Sequence, residues 1–475
     1  MRRLFILAAG LIAASAVSAE TYTYTTDADT FDFSQISDYI KAEYSQPNFV
    51  FDDTVDLVLN SDYAGPSESY VKGLGGLTLN SLELNGKSRI NLIGENGKVT
   101  RIGTLIVNQS TQQWGGRFHS GHWVLDNINA IQDGYDPNAG ISLGEAGAGA
   151  MQSLKVTNDI VGRISQFRVG SPTGMEYSAD RWKTPDIDVG GKISSTTTFT
   201  HYFVSAANGS GQFYYKVGAL DQSVNMDFQS RMPEDTSYAY VNYMITGGKS
   251  TNGGSAVMEG NLTTSIFQNG VNKPVLTLFM NSSDGEFTQI FSGSSLKIEG
   301  GVTVMSGTLL VNFKETSGVN HGDLTMEGGR FGSSNAAGGS FLFTDLVYSG
   351  GTIELALDSA SAFDSLNLSG TVKFVDGFDG KVSFDFGDNL AWLIDSEENG
   401  GKGVKVIAWA AQSSIGDEGF AANSYAGEDG LEYVADFTSE AGGLYVKYVA
   451  VPEPSTVAAL MGVLALAFAA HRRRR

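Results

Sequence analysis

The chain has 475 residues, with 59 glycines, 9 prolines and no cysteine, so disulfides, thiolate metal sites and a catalytic thiol are all excluded. An apolar share of 41% is enough for a sizeable core, and the length allows one large domain or two to three of ~150 residues. With 52 acidic against 31 basic residues the net charge is −21, which repels phosphate backbones and excludes nucleic acid as a partner.

Arg2 and Arg3 precede an apolar run from Leu4 to Ala14, and the small residues Ser15-Ala16-Val17-Ser18-Ala19 precede the polar Glu20. A basic start, a short apolar helix and a small-residue cleavage site describe a secretory signal peptide over residues 1–19, cut between Ala19 and Glu20. Such a signal implies a Sec-type export machinery as partner. Absence of cysteine does not oppose export, because a chain with a large core needs no disulfides.

The body then reads as strands and turns. One helix is expected, over Phe33 to Tyr44, with Phe33, Ile36, Ile40 and Tyr44 on one face and Asp32 or Ser34 as its cap. Elsewhere apolar residues recur with period two: Phe49 and Phe51, then Val55, Leu57 and Leu59. Leu77, Leu79, Leu82, Leu84, Ile90, Leu92, Leu105 and Val107 continue the pattern. Later runs include Leu296 and Ile298, Val302 and Val304, and Ile353, Leu355 and Leu357. Alternation puts these side chains on one face of a strand, to be buried against another layer. Gly-Gly pairs at Gly75-Gly76, Gly190-Gly191, Gly300-Gly301, Gly328-Gly329 and Gly350-Gly351 are expected at corners that need positive φ. The fold class is all-β.

So many short strands exceed one sandwich, whereas stacked coils absorb any length. Spacings of 28, 10 and 12 residues between the Gly-Gly pairs at 300, 328, 338 and 350 exclude a strict hexapeptide or nonapeptide roll. The expectation is an irregular right-handed parallel β-helix. Its parts are a capping segment over 20–70, a solenoid body over 71–370, a terminal β-cap over 371–450 and a C-terminal segment over 451–475. Within the body, Leu324-Thr-Met-Glu-Gly-Gly-Arg-Phe331 and Phe363-Asp-Ser-Leu-Asn-Leu-Ser-Gly370 resemble passenger domains of autotransporter-type surface proteins.

Candidate chemistry is sparse. Trp114-Gly-Gly-Arg117-Phe118-His119-Ser120-Gly121-His122-Trp123 holds two of the five histidines and two of the five tryptophans. Trp114, Arg117, His119, His122 and Trp123 could flank a sugar ring. His119 and His122 could hold a metal if Asp126 or Asp133 folded in. The competing reading is an aromatic corner packed on the solenoid, since tryptophan is highly buried on average. Asp186-Ile187-Asp188, just after Asp180-Arg181-Trp182-Lys183, puts two carboxylates on one strand face. On a β-helix such a row suits Ca²⁺ or acid–base work on polysaccharide, or is a solvated face. Asp376-Gly-Phe-Asp379-Gly looks like a Ca²⁺ turn without the later glutamate. Thr196 to Thr200 reads as a β-propensity run. No convergent catalytic set and no metal or cofactor site is expected, Ca²⁺ being the one cation the carboxylates suit.

The C-terminus reads Val451-Pro452-Glu453-Pro454-Ser455-Thr456, then a mostly apolar run to Ala470, then His471 and Arg472, Arg473, Arg474 and Arg475. Residues 455–470 would make a transmembrane helix of ~24 Å at 1.5 Å per residue, short for a bilayer unless flanking residues extend it. The arginines would stay on the cytoplasmic side. A Pro-Glu-Pro motif, a short apolar helix and a terminal arginine cluster resemble the PEP-CTERM sorting signal. The resemblance implies a Gram-negative-type bacterium, recognition by a membrane-embedded exosortase and processing near Val451, Pro452, Glu453 and Pro454. It further implies a surface location, often associated with exopolysaccharide. Without the two signals, residues 20–451 carry 25 basic and 51 acidic groups, a net −26 that keeps the body soluble and repels acidic polysaccharide unless a divalent cation bridges them. The expected function is that of a non-enzymatic surface or matrix protein, an adhesin or structural component. A polysaccharide lyase or glycoside hydrolase on the same scaffold, and a glycan-binding module, are the alternatives.

Overall fold

The computed structural model describes residues 19–63, 69–86, 90–109, 116–130, 141–143, 151–162, 164–170, 183–194, 199–204, 212–223, 225–230, 240–248, 254–266, 274–394 and 401–451, with 463, 466, 471 and 472. These residues form mostly β-strands arranged in long parallel ladders. The chain alternates between ladders. Glu20–Thr26, Val55–Ser61, Thr78–Gly86, Val99–Gln109 and His122–Ala130 are successive neighbours in one sheet, each parallel to the next. Between them, Thr30–Asp32, Ser69–Lys72, Ile90–Ile93 and Gly116–His119 build a second parallel sheet in the same order. That alternation is consistent with the expected β-helix.

Register turns the period-two pattern into continuous columns. Tyr22, Leu57, Leu82, Leu105, Ile128, Ile160, Ile193 and Leu220 occupy one column of the long sheet, every one of them buried. A second column runs from Trp123 through Leu154, Ile187, Tyr215, Tyr243, Leu278, Val302, Leu324 and Leu346 to Val372. Each buried side chain of this size contributes roughly 1.5–3 kcal/mol. Outward positions pair between coils by hydrogen bonds: Asn60 Nδ2 donates to Thr25 Oγ1 at 3.2 Å and Asn85 Nδ2 to Asn60 Oδ1 at 3.0 Å. With fourteen strands along its path, at ~4.8 Å each, the long sheet measures roughly 60 Å across its strands.

The helix forms over Phe33–Glu43, one residue short of the expected end. Asp32 caps it, its carboxylate accepting from Ser34 N at 2.8 Å while Gln35 Oε1 accepts from Asp32 N at 2.9 Å, a reciprocal capping box. Phe33, Ile36 and Ile40 are buried against the first strands of both ladders, whereas Tyr44 lies past the last turn and is exposed.

Gly350-Gly351 makes a corner as expected, Gly351 at φ +92°. Gly190-Gly191 does not: it lies inside the strand Ile187–Ser194, where neighbouring coils come too close for any side chain. A Cβ on Gly218 would meet Gly191 O at 2.4 Å and Gly248 Cα at 2.6 Å.

Toward the C-terminus a third parallel ladder joins Ser255–Met258, Thr288–Phe291, Thr308–Val311, Arg330–Ser333, Thr352–Glu354, Val382–Asp385 and Phe420–Ala422. The last sheet changes direction. Ser340–Phe343, Ser365–Leu368 and Val404–Trp409 are parallel, then Gly443–Ala450, Glu432–Glu440 and Tyr425–Ala426 follow antiparallel. Parallel pairing is therefore already running at Glu20 and continues past residue 371. Among the described residues no helix is long and apolar enough to cross a membrane. The expected span 455–470 lies almost wholly outside the described residues; Val463 and Leu466 within it are helical and exposed. Residues 1–18 of the expected signal helix lie outside them too.

Candidate functional site

The aromatic–histidine segment is a corner between two ladders. Gly116–His119 belongs to the second sheet and His122–Ala130 to the long one, so Ser120 at φ +52° and Gly121 at φ +71° turn the chain between them. Trp123 is fully buried, its ring centroid 4.6 Å from that of Phe118, and its indole N–H donates to Ser120 O at 2.8 Å. The Trp123 plane is thus enclosed by the core. His119 Nε2 meets Asn91 Oδ1 at 3.0 Å and His122 Nδ1 meets Ser153 Oγ at 2.8 Å, so the two rings bond to different coils. Asp126 is exposed, and Trp114 and Asp133 lie outside the described residues. Among the described residues no group of three or more His, Asp or Glu is placed to hold a metal ion.

The acidic pair is likewise divided. Asp186 is buried and its Oδ2 accepts from Tyr214 N at 2.9 Å, while half-buried Asp188 stands in register between Lys155 and Lys216. Asp180, Arg181 and Trp182 lie outside the described residues, as do Thr196, Thr197 and Thr198. Asp376 and Asp379 sit on an exposed turn whose Phe378 packs on Phe374 and Tyr348.

The structure adds three polar arrangements that the linear sequence does not reveal. A cleft of about 370 Å³ lies beside the third ladder, lined by Ser333, Glu354, Asp358, Asp385, Asp388 and Asn389, with Leu355 and Phe386 among its apolar walls. Register brings its acids together, Glu354 lying next to Asp385 across one coil, and Arg330 joins both, its Nη2 2.7 Å from Asp385 Oδ2 and its Nε bonded to Glu354. Carboxylates and an amide around apolar walls can hydrogen-bond a hydroxyl-rich ligand. Elsewhere His321, fully buried, faces Glu315 at 3.5 Å and stacks on Phe341 at 4.1 Å, while Ile298 N donates to its Nδ1 at 3.4 Å. Burial raises the Glu315 pKa, but hydrogen bonds from His321 and Ser317 outweigh it and hold this carboxyl below its ordinary value. Asp364 is also fully buried; it accepts from the backbone N–H of Gly338, Gly339 and Ala356, yet burial dominates and pushes its pKa up.

The two ends of the body complete the picture. Glu20, the residue after the expected signal cut, opens the first strand, its N–H donating to Thr54 O at 3.0 Å. At the other end Val451 N–H donates to Glu432 O at 2.8 Å, and Pro452 follows. Pro452, Glu453 and Pro454 lie outside the described residues, with Arg473, Arg474 and Arg475; Arg472 is helical and exposed. Residues 450–475 match the family model of the PEP-CTERM protein-sorting motif. That motif implies exosortase as the processing partner and export to the cell envelope or surface. No curated protein and no solved structure matches the chain.

Proposed function

We propose that this protein is a non-enzymatic surface or extracellular-matrix component, structural or adhesive, built as an irregular right-handed parallel β-helix. The Sec-type machinery exports it, its C-terminal helix holds it in the membrane, and an exosortase then processes it. The observation that carries this reading is the sorting motif at 450–475, which begins where the strand Gly443–Ala450 ends. The fold supports the reading from the other side. Its core columns are filled by aliphatic and aromatic side chains, and its outer rows bond to one another between coils. Of the histidines and carboxylates singled out in the sequence, His119, His122 and Asp186 bond to groups of the scaffold itself. Replacing Pro452-Glu453-Pro454 with alanines and fractionating native cells tests the proposal. Retention in the membrane fraction is expected, and undiminished release to the surface contradicts it.

The cleft beside Arg330 favours a second reading, a glycan-binding module on the same scaffold. Loss of glycan retention in Arg330→Ala, with the circular dichroism spectrum unchanged, would establish it.

A further inference from the structure

The folded body ends without a linker before the sorting motif. The strand Gly443–Ala450 lies between Val404–Trp409 and Glu432–Glu440, antiparallel to both, and Ile394 pairs with its Tyr448. Leu444, Val446 and Tyr448 on this strand are fully buried, and the Tyr448 hydroxyl donates to Asn423 O at 2.8 Å. Pairing persists to the last residue, Ala450 lying opposite Tyr433 and Val451 N–H bonding to Glu432 O. Capture of an extended segment by strand addition requires backbone groups that are free. On Gly443–Ala450 those groups face Glu432–Glu440 along the whole of one edge and, on the other, Val404–Ala408 as far as Val446 and Ile394 at Tyr448. Freeing them means withdrawing an interior strand and exposing three buried side chains, each worth roughly 1.5–3 kcal/mol.

We infer, on the basis of the sorting reading, that the folded cap fixes the upstream limit of processing. Every peptide bond up to Ala450–Val451 is closed to the sorting enzyme, and Gly443–Val451 stays in the mature protein as its last strand. The same geometry fixes how the body meets the membrane. From Val451 to the apolar run at Val457 the chain reaches at most about 20 Å, so the cap end is held against the bilayer and its embedded enzyme while the helix Phe33–Glu43 lies at the far end of the stack.

Mapping the C-terminal peptide of the full chain, recovered by mass spectrometry from the native cell surface, tests this. The expected terminus is Val451 or a residue beyond it. A terminus at Ala450 or earlier, with Arg472 to Arg475 gone, overturns the limit but leaves the sorting reading intact. A chain that still carries Arg475 overturns both. Tyr448→Ala supplies the complementary arm, because it loosens the cap without touching the motif. Additional termini upstream of Val451 are expected in that variant. Unchanged termini, in protein whose cap has become sensitive to trypsin at Lys447, would show that the fold does not set the limit.

Discussion

The indole N–H of Trp123 donates a 2.8 Å hydrogen bond to the carbonyl of Ser120, closing the corner through which the chain passes from one ladder to the next. The ring heads a buried column that continues through Leu154 and Ile187. Trp123→Ala should cost about 3–5 kcal/mol, the usual range for removing a large aromatic side chain from a core. Trp123→Phe should cost less, since it keeps most of the packing and loses the hydrogen bond. Urea unfolding followed by far-UV circular dichroism ranks the two.

Gly218 tests how closely the coils approach. An added Cβ meets backbone atoms of Gly191 and Gly248, neither of which can rotate away as a side chain tip would. Gly218→Ala should therefore destabilise by at least the ~1–3 kcal/mol typical of overpacking. Gly430→Ala has nothing near its added methyl but sits at φ +80°, so its smaller loss reports backbone strain alone. Comparing urea midpoints of the two variants separates contact from conformation.

Glu315 carries a pH signature. Its folded pKa lies below its ordinary value, so its contribution to stability is fully present above the unfolded carboxylate range near 4.3 and is lost as pH falls through the folded value. As pH falls below the ordinary carboxylate range, wild-type stability should drop more steeply than that of Glu315→Gln. Asp364 works in the opposite sense: its pKa is raised, so its protonation on acidification favours the folded state. Urea midpoints of wild type, Glu315→Gln and Asp364→Asn between pH 7 and pH 3 check both signs.

Parts of this molecule can be read residue by residue from the sequence. Leu82 and Leu84 alternate with Ser81, Glu83 and Asn85, and alternation alone assigns them to a buried face. The sequence leaves Asp32 and Ser34 open as the helix cap, and Asp32 takes the place because Gln35 completes a capping box with it. Register between coils is not local. Glu354 and Asp385 become neighbours only because intervening loops of unequal length bring their strands side by side. His321 and Glu315 carry no spacing signal either, being joined by the path of a turn rather than a regular element. Gly190-Gly191 misleads for a related reason: a glycine pair serves a corner and a close strand contact equally, and only the neighbouring coil decides between them.

Catalysis is the reading the proposal opposes. The purified body, residues 20–451, should leave acidic and neutral polysaccharides uncut in a reducing-end assay. Depolymerisation that disappears in Asp186→Asn or Asp188→Asn would place an enzyme on this scaffold.

The central claim is that the sorting motif delivers this body to the cell surface through an exosortase. Intact-mass measurement of the protein from surface and membrane fractions, in native cells with and without exosortase, tests it most directly. With the enzyme present, the surface form should lack Arg472 to Arg475; without it, the chain should keep Arg475 and remain with the membrane. Surface protein of identical mass in both strains would contradict the account.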